Sequence, residues 1–472
     1  MLKPRLLGGA ALALCLTAIP ALAEQPILVT SDADRGEGTL RAALASAADA
    51  AGPATIVVML PDAQIEITET LSYASSDPLT LIGNGATITT DANITLLEAL
   101  GTRSLEIRGM AFEGPGGFSI EARGDEDGAA GKGIFLDVAE TAEGTVALML
   151  DDVAVSGVAN HGIHISDCTL ADECGGGGGG AGEGSAASIE VALVDVTIAD
   201  VGNGRFDADG LRVDERGMGD ILFTGMFLEV SNVGADGIEL DEGQDGDVIV
   251  DVIYSDFVDN GAYCDPNLLR AFLPEIDEGA FDEGVTQADA IPGPVTGSSD
   301  DACFEREVDL YDDGSVAAYG FGIDVDDGFD IDEAGPGALV GLFSGGTMRG
   351  NLDEGFDFDE EGAGDIDVTF MGYIGEQNAD DAIKLSEEGA GHVYAVVQAV
   401  EAIGNGGVGI VAEEEGIGDL SLMVLSSATS GNNGGELGIE AVQDDDGIGR
   451  VWVIDSEIAD GIDTDGAEID AD

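Results

Sequence analysis

One pattern returns at a fixed step. Asp327-Gly328-Phe329-Asp330-Ile331-Asp332-Glu333 recurs as Glu354-Gly355-Phe356-Asp357-Phe358-Asp359-Glu360, then as Asp381-Ala382-Ile383-Lys384-Leu385-Ser386-Glu387, and more weakly from Val408. The starts at 327, 354, 381 and 408 are each 27 residues apart. A second apolar stretch keeps that step at Gly337-Ala338-Leu339-Val340, Gly364-Asp365-Ile366-Asp367-Val368, Gly391-His392-Val393-Tyr394-Ala395 and Gly418-Asp419-Leu420-Ser421-Leu422. Two short strands per repeat, with no helical period between them, restrict the chain to a stacked β-solenoid.

Within each repeat the side chains alternate, so Phe329 and Ile331 face one way and Asp330 and Asp332 the other. In register, Leu211, Ile238, Phe329, Phe356, Ile383 and Ile410 form one core column, and Val213, Leu240, Ile331, Phe358 and Leu385 a second. One repeat cannot bury enough apolar surface to offset its backbone entropy; only stacking on neighbours does so. Right-handed coiling follows from strand twist and the crossover rule. The expected fold is therefore all-β: a right-handed parallel β-helix with a short amino-terminal capping helix and two inserted loops.

The insertions show as breaks in the step. Gly162 and Gly210 are 48 apart, one repeat plus 21, while Asp236 and Asp327 are 91 apart, one repeat plus 64. The extra residues fall at turns, about 168–187 and 262–320, where a solenoid accepts loops. Each carries two cysteines, so local disulfides Cys168 to Cys174 and Cys264 to Cys303 are expected. The remaining boundaries are a signal peptide at 1–23, an amino-terminal strand and capping helix at 24–54, the β-helix at 55–459 and an acidic tail at 460–472.

The signal peptide reading rests on Lys3 and Arg5, an apolar run from Leu6 to Leu22 and Ala21-Leu22-Ala23 before Glu24. Export, to the periplasm or beyond the cell, is the expectation. Cleavage removes two of 16 basic residues and no acid, leaving 14 against 95 and a charge near −81. Such a surface repels phosphate, so nucleic acid is excluded as a partner. It points to a saline habitat or to bound cations. With no terminal barrel pattern, the mature chain is not expected to be membrane-embedded.

Near the amino terminus, Thr39 is placed to cap a short helix whose Leu40, Ala43, Leu44 and Ala47 share one face. Val29-Thr30-Ser31-Asp32, a glycine-rich turn and Thr39-Leu40-Arg41-Ala42-Ala43-Leu44 resemble the start of many exported bacterial right-handed parallel β-helix repeat proteins, with Thr39 where that start commonly has Ser. The resemblance implies the fold and export, and no single activity.

Several residues are chemical candidates. Asp380-Asp381 slightly resembles the paired aspartates of polygalacturonase-type glycosidases. Asp381, however, shares its repeat position with Asp209, Asp236 and Asp327, which favours a turn role. Lys384, with His392 at the start of the next strand, is the candidate base of a lyase; the bland alternative has it neutralising Asp357 one coil away. His161 and His164, three positions apart, lack a third metal ligand. Asp214, Asp241, Asp332 and Asp359 form a column expected on the exterior and are the candidate ligands for Ca²⁺, the expected cofactor. Glu215, Glu242, Glu333, Glu360, Glu387 and Glu414 are expected to form a second exterior column. The function expected is a non-catalytic association with cations, glycan or a cell surface. The alternative is a polysaccharide lyase or glycoside hydrolase, which requires basic, aromatic and paired acidic residues to converge at one place.

Overall fold

In the computed structural model, described for residues 25–119, 131–168, 184–266 and 325–471 except 445–446, and for scattered residues between 267 and 324, the chain coils into a right-handed parallel β-helix. Among the described residues one parallel sheet holds twelve strands and a larger, bent one nineteen. In the twelve-stranded sheet each strand pairs with its counterpart one coil on. Leu211, Ile238, Phe329, Phe356 and Ile383 align, as do Val213, Leu240, Ile331, Phe358 and Leu385. All ten lie in the core, at most 2% exposed. Ile238 pairs directly with Phe329 although 91 positions separate them, so the long insertion leaves the stack unbroken.

The interior holds a cluster of aromatic rings. Phe329, Phe343, Phe356, Phe358, Phe370 and Tyr373 pack together, with Phe343 and Phe370 stacked at 5.1 Å between centroids. A second internal column is polar. Asn260, Asn351, Asn378, Asn405 and Asn432, all buried, each donate Nδ2–H to the Oδ1 of the next at 2.8 to 3.1 Å, and Asn432 donates to Asp460. From Asn351 onward these stand 27 apart, a signal present in the sequence.

At the amino-terminal end a helix, Leu40–Asp49, packs Leu40, Ala43, Leu44 and Ala47 inward, and the Thr39 hydroxyl accepts from Ala42 N–H. It covers backbone that an open end leaves unpaired. Two boundaries differ from expectation. Strand Ile27–Val29 already pairs in parallel with Ala54–Val58, so the stack begins before residue 55. The expected tail supplies strands Ile462–Asp465 and Ala467–Ala471, another coil: its acids alternate with Ile462, Thr464, Ala467 and Ile469, a strand pattern that composition alone hides.

Cys264 and Cys303 are joined, Cα atoms 5.3 Å apart, against buried Tyr263. Cys168 is also disulfide-bonded, and its expected partner Cys174 lies outside the described residues, as does the signal peptide. No described helix is long and apolar enough to cross a membrane.

Candidate functional site

The outward positions of the twelve-stranded sheet bring the chain's scarce basic residues together with its acids. On neighbouring strands, His164 aligns with Arg212, Arg212 with Glu239, Glu239 with Asp330, Asp330 with Asp357 and Asp357 with Lys384. Two positions along, Asp214, Asp241, Asp332 and Asp359 align as expected from the repeat.

At one end of this row the charges neutralise one another. Arg212, buried, donates Nε–H to Asp214 at 2.7 Å and reaches Asp207, Asp209, Glu239 and Asp241 through its two amino groups. Arg216 binds Asp241 through both Nη atoms. Asp214 also contacts His164 Nε2 at 2.6 Å, while Lys132 Nζ meets His164 Nδ1 and lies 4.5 Å from the centre of the Phe135 ring. Burial pushes the Asp214 carboxyl up, but the Arg212 charge and the His164 contact outweigh it and hold the group well below the usual range. Burial, reinforced by Lys132, pulls His164 down to about 4. Two of the four expected cation ligands, Asp214 and Asp241, are therefore already partnered by guanidinium groups.

The basic, aromatic and acidic residues that a catalytic site requires do converge here, with both histidines buried and Lys132 and Lys384 partly exposed. His161 and His164 lie 4.6 Å apart with both rings buried, and the His161 Nδ1 accepts from Asp209 N–H at 3.0 Å. A base must touch the proton it removes. Lys384 donates to Asp357 at 2.7 Å and stands 3.8 Å from Glu354. Burial opposes its charge, but Asp357, Asp359 and Glu354 favour the protonated ammonium and raise it above its ordinary range, which works against its use as a base. His392, whose Nδ1 accepts from Asp419 N–H at 2.7 Å, lies 5.4 Å from the Tyr394 ring at a tilt of 43°. Asp381 is buried and accepts from Val408 N–H one coil on, as Asp209, Asp236 and Asp327 do for their successors; burial raises it to about 8. This is the turn role. Two clefts of about 200 Å³ and about 190 Å³ lie elsewhere, beside Asp152 and Asp195 and beside Arg103 and Glu143.

Among the described residues three groups of carboxylates bring their oxygens within 4.8 Å of one another. Asp207, Asp209 and Glu239 surround Arg212, and the Glu239, Asp330 and Asp332 group shares its Glu239 with that arginine. The third, Asp327, Asp353 and Glu354, sits on the turn leading into two successive strands and has only Lys384 at its edge. Beside it Asp357, 9% exposed, gives one oxygen to Lys384 and keeps Oδ1 buried with no hydrogen-bond partner. Asp357 raises the pKa of both Asp327 and Glu354 through its charge, secondary in each case to burial itself. Of the expected four, Asp332 joins the second group, and Asp359 belongs to none of the three.

The glutamate column is the clearest departure from expectation. Glu215, Glu242, Glu333, Glu360, Glu387 and Glu414 are in register but 0% exposed, on the inside of the turn. Strict alternation from Phe329 places Glu333 inward. The rule that charge stays outside yields here because the turn supplies hydrogen bonds. Each glutamate opens the motif Glu-x-Gly-x-Gly or its Gln244 variant: Gly335 and Gly337 donate N–H to Glu333 at 3.0 and 3.2 Å, Gly362 to Glu360 and Gly389 to Glu387 at 3.0 Å. Glycine is required because coils touch backbone to backbone; a Cβ on Gly364 would lie 1.3 Å from the Gly337 carbonyl oxygen.

On the opposite, nineteen-stranded side, Phe227 and Tyr254 hold φ values of 58° and 52° at successive corners. Their rings stack at 6.0 Å, 45% and 62% exposed. Bulky residues with positive φ are strained, and such strain concentrates where function requires it.

No family model and no curated protein matches the chain. Among solved structures it is similar to the A-module of the Azotobacter vinelandii mannuronan C-5 epimerase AlgE4 (11% identity, TM-score 0.41, 93% of this chain and 95% of that one). It is also similar to the catalytic unit of a GH87 α-1,3-glucanase from Streptomyces thermodiastaticus (12%, 0.40, 94% and 69%) and to PfbA, a surface adhesin of Streptococcus pneumoniae (10%, 0.30, 94% and 93%). Against Geobacillus virus E2 ORF18 the chain spans 60% of that protein's length at 9% identity and a TM-score of 0.37. At such identities and scores the likeness bears on neither ligand nor chemistry.

Proposed function

We propose that this chain is an exported, non-catalytic β-helix that binds divalent cations on an acidic turn and associates with glycan or a cell surface. The observation that carries the reading is the Asp327, Asp353 and Glu354 group, three carboxylates with no arginine among them and an unpartnered Asp357 oxygen alongside. Oxygen-rich sites of this kind suit Ca²⁺. Export is supported by the signal-like start and by a disulfide, which belongs to oxidising compartments. The glycan half rests on Phe227 and Tyr254, an exposed aromatic surface on which a sugar ring can stack.

Calorimetric titration of the metal-stripped full chain with CaCl₂ tests the first half: saturable binding that Asp353→Asn weakens at least tenfold is expected, and an unchanged isotherm for that variant rejects the site. Retention on immobilised neutral and uronate polysaccharides, with and without Ca²⁺, tests the second, with loss expected in Phe227→Gly/Tyr254→Gly. The lyase or hydrolase reading keeps one supporting observation, the convergence of His164 and Arg212 on Asp214 with Lys132 on the far nitrogen of His164. Release of unsaturated or reducing ends from those polysaccharides would establish it instead.

A further inference from the structure

The stacked glutamates present an unusual chemical situation. Six carboxyl groups, fully buried, follow one another coil by coil, and each contacts its neighbour through side-chain hydrogen bonding. Among the described residues no lysine or arginine ion pair reaches any of them. Turn N–H groups reach both oxygens of Glu215 and Glu242 but only one oxygen each of Glu333, Glu360 and Glu387, while Glu333 Oε2, Glu360 Oε2, Glu387 Oε2 and Glu414 Oε1 are buried with no partner that carries a hydrogen. Two ionised carboxylates cannot bond to each other, because both only accept. Something must supply a hydrogen between them.

The end of the column shows what fits. Where the next glutamate would stand the chain has Gln443, whose Nε2–H donates to Glu414 Oε2 while its Oε1 accepts from Leu420 N–H at 2.8 Å. A glutamine is the fixed counterpart of a protonated glutamic acid: the same shape, one donor, one acceptor. At the other end Asp167 accepts from Ser185 N–H and Arg216 N–H and contacts Glu215.

We propose that Glu215, Glu242, Glu333, Glu360, Glu387 and Glu414 form a proton-binding column in which every second member carries a hydrogen and donates it to a neighbouring carboxylate, so that the coils take up protons as they stack. The hydrogens have to be shared because each unpartnered oxygen faces another carboxylate. Burial favours the protonated form throughout: it lifts Glu215 and Glu333 to about 10 and Glu387 to about 8, and it raises Glu242 and Glu414 although contact with neighbouring glutamates works the other way. The other charged groups facing the column are Asp167 beside Glu215, Glu361 beside Glu360, and His392 and Asp419 beside Glu414. The cation site proposed above lies on a different turn, so the column stands or falls independently of it.

The test uses the full chain in chelator at constant ionic strength. Infrared difference spectra at pH 7 should show buried protonated-carboxyl C=O absorption that resists exchange into D₂O and weakens in Glu387→Gln. Unfolding at pH 7 should release on the order of three protons from this column, one fewer in that variant. Glu387→Gln should remain folded, as Gln443 already occupies an equivalent place, and its melting temperature should fall less steeply between pH 7 and pH 9. Absence of the carbonyl band at pH 7 in the wild-type protein overturns the proposal, whatever the variant does. So does an unfolding-linked proton release that Glu387→Gln leaves unchanged.

Discussion

Arg212 serves five carboxylates with one guanidinium, and Asp214 depends on it for its charge. Removing one partner of a buried ion network leaves the others uncompensated, so Arg212→Ala should cost about 3 to 5 kcal/mol in chemical denaturation. Phe227 and Tyr254 act in the opposite sense. Both occupy the left-handed region that glycine enters freely, and Gly345 and Gly372 occupy the equivalent corners on later coils. Replacing either aromatic by glycine should leave the fold as stable or relieve about 1 kcal/mol of strain, less the added unfolded-state entropy. A clear loss of stability would show that the stacked rings are structural and weaken the case for a glycan contact. Neither residue pair was legible in the sequence, because a backbone angle and an ion network spanning 34 positions leave no periodic trace. The glutamates were legible, but their side was misjudged: period two places Glu333 with Phe329, and only the turn glycines explain how an acid is tolerated there.

At the scale of the element, the asparagine column does for one corner what the glutamates do for another. Each Asn aligns its amide with the next, and Asn378 accepts from both Asn351 Nδ2–H and Asn351 N–H while donating to Asn405. Asn378→Leu leaves buried donors on one side and a buried acceptor on the other, a loss of roughly 2 to 5 kcal/mol, measured as a shift in denaturation midpoint. The substitution should not disturb Ca²⁺ binding. The core strands, their register and the insertion points could be read from the 27-residue step, because stacking forces every coil to repeat. The final coil escaped notice because its acids and glycines mask the alternation of Ile462, Thr464, Ala467 and Ile469.

For the whole molecule, charge and pH act together. Most of the buried acids described have raised pKa values, with burial as the leading cause. A carboxyl raised in the folded state binds its proton more tightly there than in the unfolded chain. Its contribution is complete below the unfolded value, near 4, and is lost as pH rises through the folded one: about 7 for Asp332, Asp353 and Asp209 and about 8 for Asp381 and Glu387. Melting temperature should therefore decline from pH 5 to pH 9, while Asp214, held low, adds stability that disappears only at strongly acid pH. A profile that rises over that interval contradicts the burial of these groups. At fixed pH 8 the melting temperature should climb with NaCl, through screening, and further with millimolar CaCl₂ at matched ionic strength; no calcium increment would leave the acid as general saline adaptation.

The glutamate column ties the length of the solenoid to its response to alkali. Each coil between Glu215 and Glu414 brings one more buried carboxyl to the inner turn, and Gln443 closes the row with a group that does not titrate. Excising one coil, residues 334–360, would set Glu333 against Glu387 and leave the apolar and asparagine columns in step. The shortened chain should release fewer protons on unfolding than the parent, and one lacking residues 334–387 fewer still, which means that a lineage adding coils of this kind becomes more sensitive to alkali with every turn it gains.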